Sequence, residues 1–260
     1  MRGILSISAL HLAYLNPEKQ DFYVSHSMEH HELALKEATT VLPNVTKENC
    51  AALHIFSILT CIHTLGRPRR QEDFLVVGES GIAKWLVLFR GVTEIIEPFE
   101  DVMASGLLSS LFQARQRRQN LRENCDGSGV EGNHLKELRD LVLQTTREEE
   151  MIPVYTTNID SLQRAFTFIY TSAPHTHETG DVFIWIFRVT NEYLMALKEG
   201  TQEALAIFAY SCVLFKKMEG YWWMEGWSVQ LMSNIYDFLD EEHRLWIRWP
   251  IKEIGWTPKY

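Results

Sequence analysis

Cysteine is scarce in this sequence, and no metal or redox motif is built from it. The four cysteines, Cys50, Cys61, Cys125 and Cys212, lie far apart and form no Cys-x-x-Cys pair. Zinc sites and disulfide frameworks of small secreted proteins use closely spaced cysteines, so this spacing indicates neither. We expect reduced, mostly buried thiols, as in cytosolic proteins.

Long apolar runs and an excess of positive charge are also lacking. No run of about 18 apolar residues is present, which predicts that no segment spans a membrane. The formal net charge is −9, so direct binding to nucleic acid is not expected. The basic stretch that stands out is Arg115, Arg117 and Arg118, and we interpret it as the solvated end of a helix.

The N-terminal stretch has only some features of a secretory signal. Arg2 precedes an apolar run, but His11 and Tyr14 lie in that run and no clear small-residue cleavage site follows. We therefore expect a cytoplasmic protein, or a nuclear one if it is a regulator.

Helical periodicity and aromatic side chains are plentiful. Hydrophobic residues make up 46% of the chain and aromatic residues 12%, enough for a sizeable core. Because period-two alternation is nowhere sustained, we predict an all-α protein with a single domain over 1–260 and roughly ten helices. The predicted helical segments are 3–15, 18–42, 46–65, 82–96, 98–119, 134–147, 156–171, 181–199, 201–217, 221–239 and 241–249.

Local signals add detail to these segments. Thr46 is the predicted N-cap of the third helix. The glycine-rich segment at about 122–133 is predicted to be a flexible loop, because it lacks the preceding strand and the Lys-Ser/Thr of a phosphate-binding loop. Polar connections are predicted at 67–81 and 172–180. The second helix is predicted to point five apolar side chains inward, namely Phe22, Met28, Leu35, Ala38 and Leu42.

A tryptophan-rich stretch, 221–227, carries three of the eight tryptophans. Apolar side chains recur from it at steps of three and four, which predicts one apolar helix face made of Trp223, Trp227, Leu231, Ile235 and Phe238. The segment 204–215 just upstream is apolar almost all round, which is typical of a buried helix. Together they form either a core or the wall of an apolar pocket.

Two strings resemble metal sites. His26 and His30 match the His-x-x-Glu-His pattern that places two zinc ligands on one helix face, but no third ligand is evident and the solvent side of a helix fits equally. Asp237, Asp240 and Glu241 could hold magnesium, as in helical terpene cyclases. The favoured alternative is that Asp240 caps the next helix, since no second acidic cluster completes a site. We therefore expect neither a metal nor an organic cofactor.

Two histidines lie inside the apolar third helix. A buried imidazole needs a hydrogen-bond partner, and one that faces a cavity can act as an acid, a base or a donor. His54 and His63 are nine residues apart, about 180° around a helix, so at most one faces any given pocket. They are the candidate catalytic residues, and the alternative is that each is a core histidine with its hydrogen bonds satisfied.

Five stretches spread in order over nearly the whole chain carry a family resemblance, namely 5–13, 46–50, 90–92, 221–227 and 248–251 with Gly255. They resemble the C-terminal effector domain of fungal zinc-cluster transcription factors of the sterol uptake control type. The resemblance implies an all-helical domain whose C-terminal half encloses an apolar pocket for a sterol or similar lipid, and dimerisation is common in that family. The implied ligand contacts lie on helices that contain Phe208, Tyr210, Phe215, Trp222, Trp223 and Trp227.

The sequence also departs from that family. The DNA-binding zinc cluster with its two Cys-x-x-Cys pairs is missing, and Met1 is interpreted as a natural start. His54 and His63 fall where the family pattern has aromatic residues.

Two hypotheses follow. In the first, the protein binds a bulky hydrophobic molecule of terpenoid, polyketide or sterol type and acts on it without a cofactor, as a cyclase, isomerase or pericyclase. In the second, it is a lipid-sensing regulator domain that works through dimerisation, including a homodimer, or through protein partners.

Overall fold

Helices make up nearly all of the described chain, which confirms the predicted all-α class. The computed structural model describes residues 1–68, 77–78, 81–82, 84–106, 108–123, 131–171 and 178–258. Two-residue strands at Val77–Gly78 (β1) and Gly81–Ile82 (β2) pair antiparallel, with Val77 opposite Ile82.

Fourteen α-helices lie within these ranges, more than the roughly ten predicted, because some predicted helices are divided. They are α1 Arg2–Leu15, α2 Gln20–Val41, α3 Cys50–Gly66, α4 Lys84–Ile96, α5 Glu100–Ser105, α6 Ser109–Glu123, α7 Glu131–Thr145, α8 Met151–Thr171, α9 Thr179–Arg188, α10 Asn191–Glu199, α11 Gln202–Lys216, α12 Trp227–Phe238, α13 Glu241–Trp246 and α14 Arg248–Ile254. Short 3₁₀ helices lie at Pro17–Lys19, Leu42–Asn44 and Glu97–Phe99.

Contacts between Cα atoms divide the chain into two compact units. The first unit comprises the described residues within 1–70 and 84–117, and the second those within 71–83 and 118–260. The single domain over 1–260 stays a prediction.

Small residues bring the helices of the first unit close together. The hydroxyls of Ser6 on α1 and Ser27 on α2 lie 3.1 Å apart, and each donates to a backbone carbonyl of the other helix. At Gly3 a Cβ atom would lie only 3.1 Å from the Phe56 ring on α3. The close packing of α1 against α2 and α3 therefore depends on these small side chains.

The prediction for the inner face of α2 was wrong. Phe22, Met28, Leu35 and Leu42 are all more than two-fifths exposed, whereas Ser27 and Ala34 are buried. The side chains that α1 can approach closely are the small ones, so the larger apolar residues lie on the outer side.

The second unit is centred on α11, whose residues 204–215 are all buried. The helices α8, α10, α12, α13 and α14 pack against it, and β1 and β2 lie against α10. This confirms the prediction of a buried helix from a segment that is apolar all round.

Two predicted helices of the second unit are interrupted. Residues 221–226 form turns, and α12 begins only at Trp227, because Gly226 adopts left-handed geometry with φ 75°. The predicted helix 181–199 is divided into α9 and α10 by Val189 and Thr190, where the Thr190 hydroxyl accepts a hydrogen bond from Tyr193 N at 3.2 Å and caps α10.

Other helix boundaries also shift. Thr46 is not the N-cap of α3, because it begins a turn that precedes the helix, and the cap is Asn49. α8 begins at Met151 in spite of Pro153, because the first backbone N–H groups of a helix have no intrahelical acceptor.

The predicted polar connections fall mostly outside the described residues. Of the predicted loop at 122–133, positions 124–130 are not described, and the flanking positions belong to α6 and α7. Within the predicted turn at 172–180, the described Thr179 and Gly180 belong to α9. No helix in the described part of the chain combines the length and the apolar character that crossing a membrane requires.

Candidate functional site

His54 lies in the first unit on α3, where it is 5% exposed. Its ring is 5.9 Å from the Phe112 ring of α6, in an edge-on arrangement. Its Nδ1 atom is buried and has no hydrogen-bond partner among the described residues. A buried polar atom without a partner costs roughly 1–3 kcal/mol, so this atom calls for a water molecule or a ligand group.

Burial is the main reason that the pKa of His54 is lowered to about 4, and the positive charge of Arg115 on α6 lowers it further. The backbone of Val92 on α4 acts in the opposite direction on this pKa but is the weakest of the three influences. His54 is therefore neutral at pH 7 and can accept a hydrogen bond through a ring nitrogen.

His63 lies in the last turn of α3 and has a different neighbour. Its ring stacks on that of His31 from α2, with 3.9 Å between the ring centroids and 9° between the planes. Burial, His31 and Arg67 together lower the pKa of His63 to about 3. The pKa of His31 is also lowered, chiefly by burial and then by Arg67.

The different neighbours of the two candidate histidines agree with their predicted placement on opposite sides of α3. His54 contacts α4 and α6, whereas His63 contacts α2. The buried Nε2 of His63, like the Nδ1 of His54, has no hydrogen-bond partner in the described part of the molecule.

The two metal-like strings have local explanations. His26 bonds through Nδ1 to the Phe22 carbonyl at 2.9 Å and is exposed. Asp240 is the N-cap of α13, as predicted, because its Oδ1 accepts hydrogen bonds from His243 N at 2.8 Å and contacts His243 Nδ1 at the same distance. Across the described residues, no three His, Cys, Asp or Glu side chains are placed to hold a metal ion.

The cysteines that the structure describes, Cys50, Cys61 and Cys212, are free and buried, as predicted. Burial raises the pKa of Cys61 to about 12 and also raises that of Cys212. Thiols that stay protonated in this way are poor nucleophiles.

The aromatic residues that the sequence nominates as ligand contacts lie in the second unit, and five of the six are buried. Trp222 is half-buried. The five buried residues are Phe208, Tyr210, Phe215, Trp223 and Trp227.

Ring contacts within the protein involve several of these residues. Phe183 of α9 stacks on Trp223, with 6.1 Å between ring centroids, and lies 5.6 Å from Phe215. The ring centroid of Phe208 on α11 lies 5.7 Å from that of Trp185, which is on α9 like Phe183. These contacts fix the rings in the protein core, and contact with a ligand stays a prediction.

Tyr210 is anchored by its hydroxyl, which donates to the Trp246 carbonyl at 3.1 Å. Burial raises the pKa of this phenol. The Tyr210 ring also lies 5.5 Å from that of Trp249 on α14. Tyr210 thus ties α11 to α13 and α14, a structural role that the sequence did not indicate.

A polar network holds the tryptophan-rich turn in place. Glu219 accepts hydrogen bonds from Lys216 at 2.6 Å and from the buried Ser228 at the start of α12. The carboxylate therefore links the end of α11 to the beginning of α12 and fixes the path of residues 221–226 between them.

Arg118 corrects the interpretation of the basic stretch. Its guanidinium forms an ion pair with the buried Asp181 of α9 and lies 3.3 Å from Glu178. Asp181 also accepts a hydrogen bond from Glu178 N at 2.8 Å and so completes the cap of α9. Arg118 is thus not a solvated helix end, and α6 continues to Glu123.

Sequence reasoning missed the partners of the two histidines. Phe112 and Arg115 beside His54, and His31 beside His63, come from other helices. Helical periodicity places residues on a face of one helix, but it does not say which helices meet.

The chain matches no protein-family model, no curated protein and no solved structure.

Proposed function

We propose that this protein binds a bulky hydrophobic small molecule of terpenoid, polyketide or sterol type and converts it without a cofactor, as a cyclase, isomerase or pericyclase. The resemblance to the effector domain of sterol-type zinc-cluster regulators is part of this proposal. The observation that carries it is His54, a neutral imidazole buried among apolar side chains with one ring nitrogen left without a partner in the described structure.

An isolated polar atom in apolar surroundings is the usual way in which a hydrophobic site fixes the orientation of its ligand. A single oriented contact also limits the conformations of a flexible substrate, and this lowers the entropic part of a cyclisation barrier. Because His54 is neutral at pH 7, it does not supply a proton from an imidazolium. Its role in the proposed reaction is to orient and polarise an oxygen of the substrate.

His54 is preferred to His63 as the ligand contact. The face of the His63 ring is covered by His31 at stacking distance. Arg67, which caps the C-terminal end of α3, donates its backbone N–H to the His63 carbonyl at 3.0 Å. The ring contact of His54, by comparison, is the edge-on Phe112 ring, which leaves the face of the imidazole uncovered by that ring. We therefore assign His63 to the packing of α2 against α3.

The test uses extracts of a strain that lacks the gene. Purified protein is incubated with the compounds that accumulate there, and their conversion is followed by mass spectrometry with and without magnesium. Conversion that falls at least tenfold in His54→Gln but persists in His63→Gln is expected. A compound that binds and is never converted would remove the catalytic half of the proposal.

A second function, a lipid-sensing domain that works through dimerisation or protein partners, is favoured by the outer side of α2. Phe22, Met28 and Leu35 are 58%, 49% and 45% exposed there, and clustered exposed apolar residues commonly mark interaction surfaces. Sedimentation velocity of the intact protein and of a Met28→Glu, Leu35→Glu double variant tests this. A monomer for the unchanged protein at high micromolar concentration would count against a homodimer.

A further inference from the structure

We propose that His26 and His30 of α2 bind a zinc ion together with the same two histidines of a second copy of the chain. The zinc site goes beyond the proposed function and does not depend on the proposed conversion of a ligand. It would make one face of α2 a contact between two copies that forms only when the metal is present.

The two histidines are four residues apart on α2, so their side chains are neighbours on the surface of the helix. His26 is exposed and His30 is half-buried. Zinc binds a neutral imidazole through one ring nitrogen, and two histidines at this spacing on a helix are a recurrent ligand pair. One chain therefore offers two ligands.

A hydrogen bond in the structure fixes which nitrogen of His26 is free. Its Nδ1 lies 2.9 Å from the carbonyl oxygen of Phe22, four residues earlier. A carbonyl can only accept, so Nδ1 carries the hydrogen and Nε2 carries the lone pair that a metal needs. Histidines that bind metals commonly donate their other N–H to a backbone carbonyl in this way. His26 is thus oriented as a zinc ligand.

His30 offers the corresponding nitrogen. Its Nδ1 is buried and has no hydrogen-bond partner among the described residues, which leaves Nε2 for a metal at the surface. In the zinc-bound form we expect this Nδ1 to donate to the His26 carbonyl, four residues earlier, as the Nδ1 of His26 donates to that of Phe22. The new bond gives the buried atom the partner it lacks.

One chain does not complete the site. A structural zinc ion takes four ligands in a tetrahedral arrangement, and within the described ranges no group of three His, Cys, Asp or Glu side chains is placed to hold a metal. A second copy supplies the same two nitrogens, and two-fold symmetry is the commonest arrangement in homo-oligomers. Four imidazoles then complete the coordination.

The apolar residues on either side of the histidine pair fit such a two-fold contact. Phe22 lies four residues before the first histidine and Leu33 three residues after the second, so all four share one stripe of the helix. Phe22 is 58% exposed and Leu33 is 38% exposed. The histidine pair and the apolar pair are both centred near position 28. When two copies of α2 run antiparallel across that point, Phe22 of each copy meets Leu33 of the other and removes it from water.

The experiment is sedimentation velocity of the intact protein at micromolar concentration, first in EDTA and then with added zinc or magnesium. Zinc is expected to convert the monomer into a dimer, with one zinc ion per two chains by calorimetry. Magnesium, which prefers oxygen ligands, should not do so.

The variants His26→Gln and His30→Gln should each weaken the zinc-dependent dimer by about tenfold or more, since each removes two of the four ligands. The matched control is His11→Gln, which changes an exposed histidine of α1 and should leave the dimer unchanged. The double variant Met28→Glu, Leu35→Glu changes exposed apolar residues off the stripe and should also keep it.

Several outcomes would overturn the inference. They are a protein that stays monomeric with zinc, a zinc ion bound by each chain without dimerisation, a dimer that survives in both single histidine variants, and a dimer that is equally stable in EDTA. Loss of the zinc-dependent dimer in the double variant would contradict its placement on the stripe. Conversion of a ligand is measured separately, so the failure of the zinc site leaves the proposed function untouched.

Discussion

At the scale of single residues, two tryptophans of the same short stretch have different surroundings. Trp227 is 1% exposed at the start of α12, whereas Trp222 is half-buried in the turn before it. The surroundings of each side chain therefore decide how far its removal lowers the free energy of unfolding.

We expect Trp227→Ala to lower the free energy of unfolding by about 3–5 kcal/mol, because it leaves a cavity in the core. Trp222→Ala should cost about 1 kcal/mol or less. Urea unfolding followed by circular dichroism measures both. If Trp222 contacts a ligand, its variant should lose affinity at nearly unchanged stability, and similar losses of stability for the two variants would contradict this difference.

Asp240 is a residue for which local chemistry explains the whole role. Asp240→Ala removes the acceptor of the His243 backbone N–H, and we expect this to cost about 1 kcal/mol. The matched control is Asp237→Ala in the last turn of α12, where a negative charge opposes the helix dipole and its loss is neutral or slightly stabilising. Equal effects of the two substitutions on the midpoint of thermal unfolding would rule out the capping role.

At the scale of elements, the start of α12 is set by backbone geometry. Gly226 has φ 75°, a region in which a side chain is strained, and the turn 217–226 leads into the helix through this residue. Without the glycine the chain would lose the sharp change of direction between the turn and α12.

We expect Gly226→Ala to destabilise the protein by about 1–2 kcal/mol. Gly220→Ala in the same turn is the control, because its φ is not positive and an added Cβ meets no atom within 4 Å. Its effect on denaturant unfolding should stay within about 0.5 kcal/mol. A Gly226 variant as stable as the Gly220 variant would show that the left-handed geometry is not required.

At the scale of the whole molecule, the two units differ in their buried titratable groups. The first unit buries His54 and His63, whose pKa values fall to about 4 and about 3. In the second unit, burial raises the pKa of Tyr155, Tyr193, Tyr210 and Cys212, all of which stay neutral in acid. Of these groups, mild acid therefore protonates the two histidines of the first unit.

The sign of the effect follows from the lowered pKa values. The unfolded chain takes up protons on these histidines near pH 6.5, whereas the folded chain does not until about pH 4 and about pH 3. Stability is thus complete above pH 6.5 and is lost as the pH falls below it, by at most about 1.4 kcal/mol per pH unit for each histidine.

Hydrogen exchange between pH 7.5 and 4.5, corrected for the intrinsic rate, should therefore reveal α3 losing protection before α11. The double variant His54→Gln, His63→Gln should flatten this dependence, and the exposed control His26→Gln should leave it unchanged. Protection of α3 that does not vary with pH would contradict the prediction.

Features set by neighbouring residues could be predicted from the sequence. The burial of α11 follows from a segment without a polar side, the cap at Asp240 from a carboxylate beside a helix start, and the opposite placement of His54 and His63 from the helical repeat. Each of these depends on contacts within about one turn or on the composition of a single helix, so periodicity and capping rules suffice.

Only the tertiary structure decided which faces meet. The contact between Ser6 and Ser27 leaves Met28 and Leu35 on the exposed side of α2. Arg118 forms its ion pair with Asp181, which lies 63 residues later in the sequence. His31 likewise becomes the stacking partner of His63 only when α2 and α3 meet. Which of several similar helix faces pack together depends on the close fit of side chains from distant segments, and no local pattern contains that information.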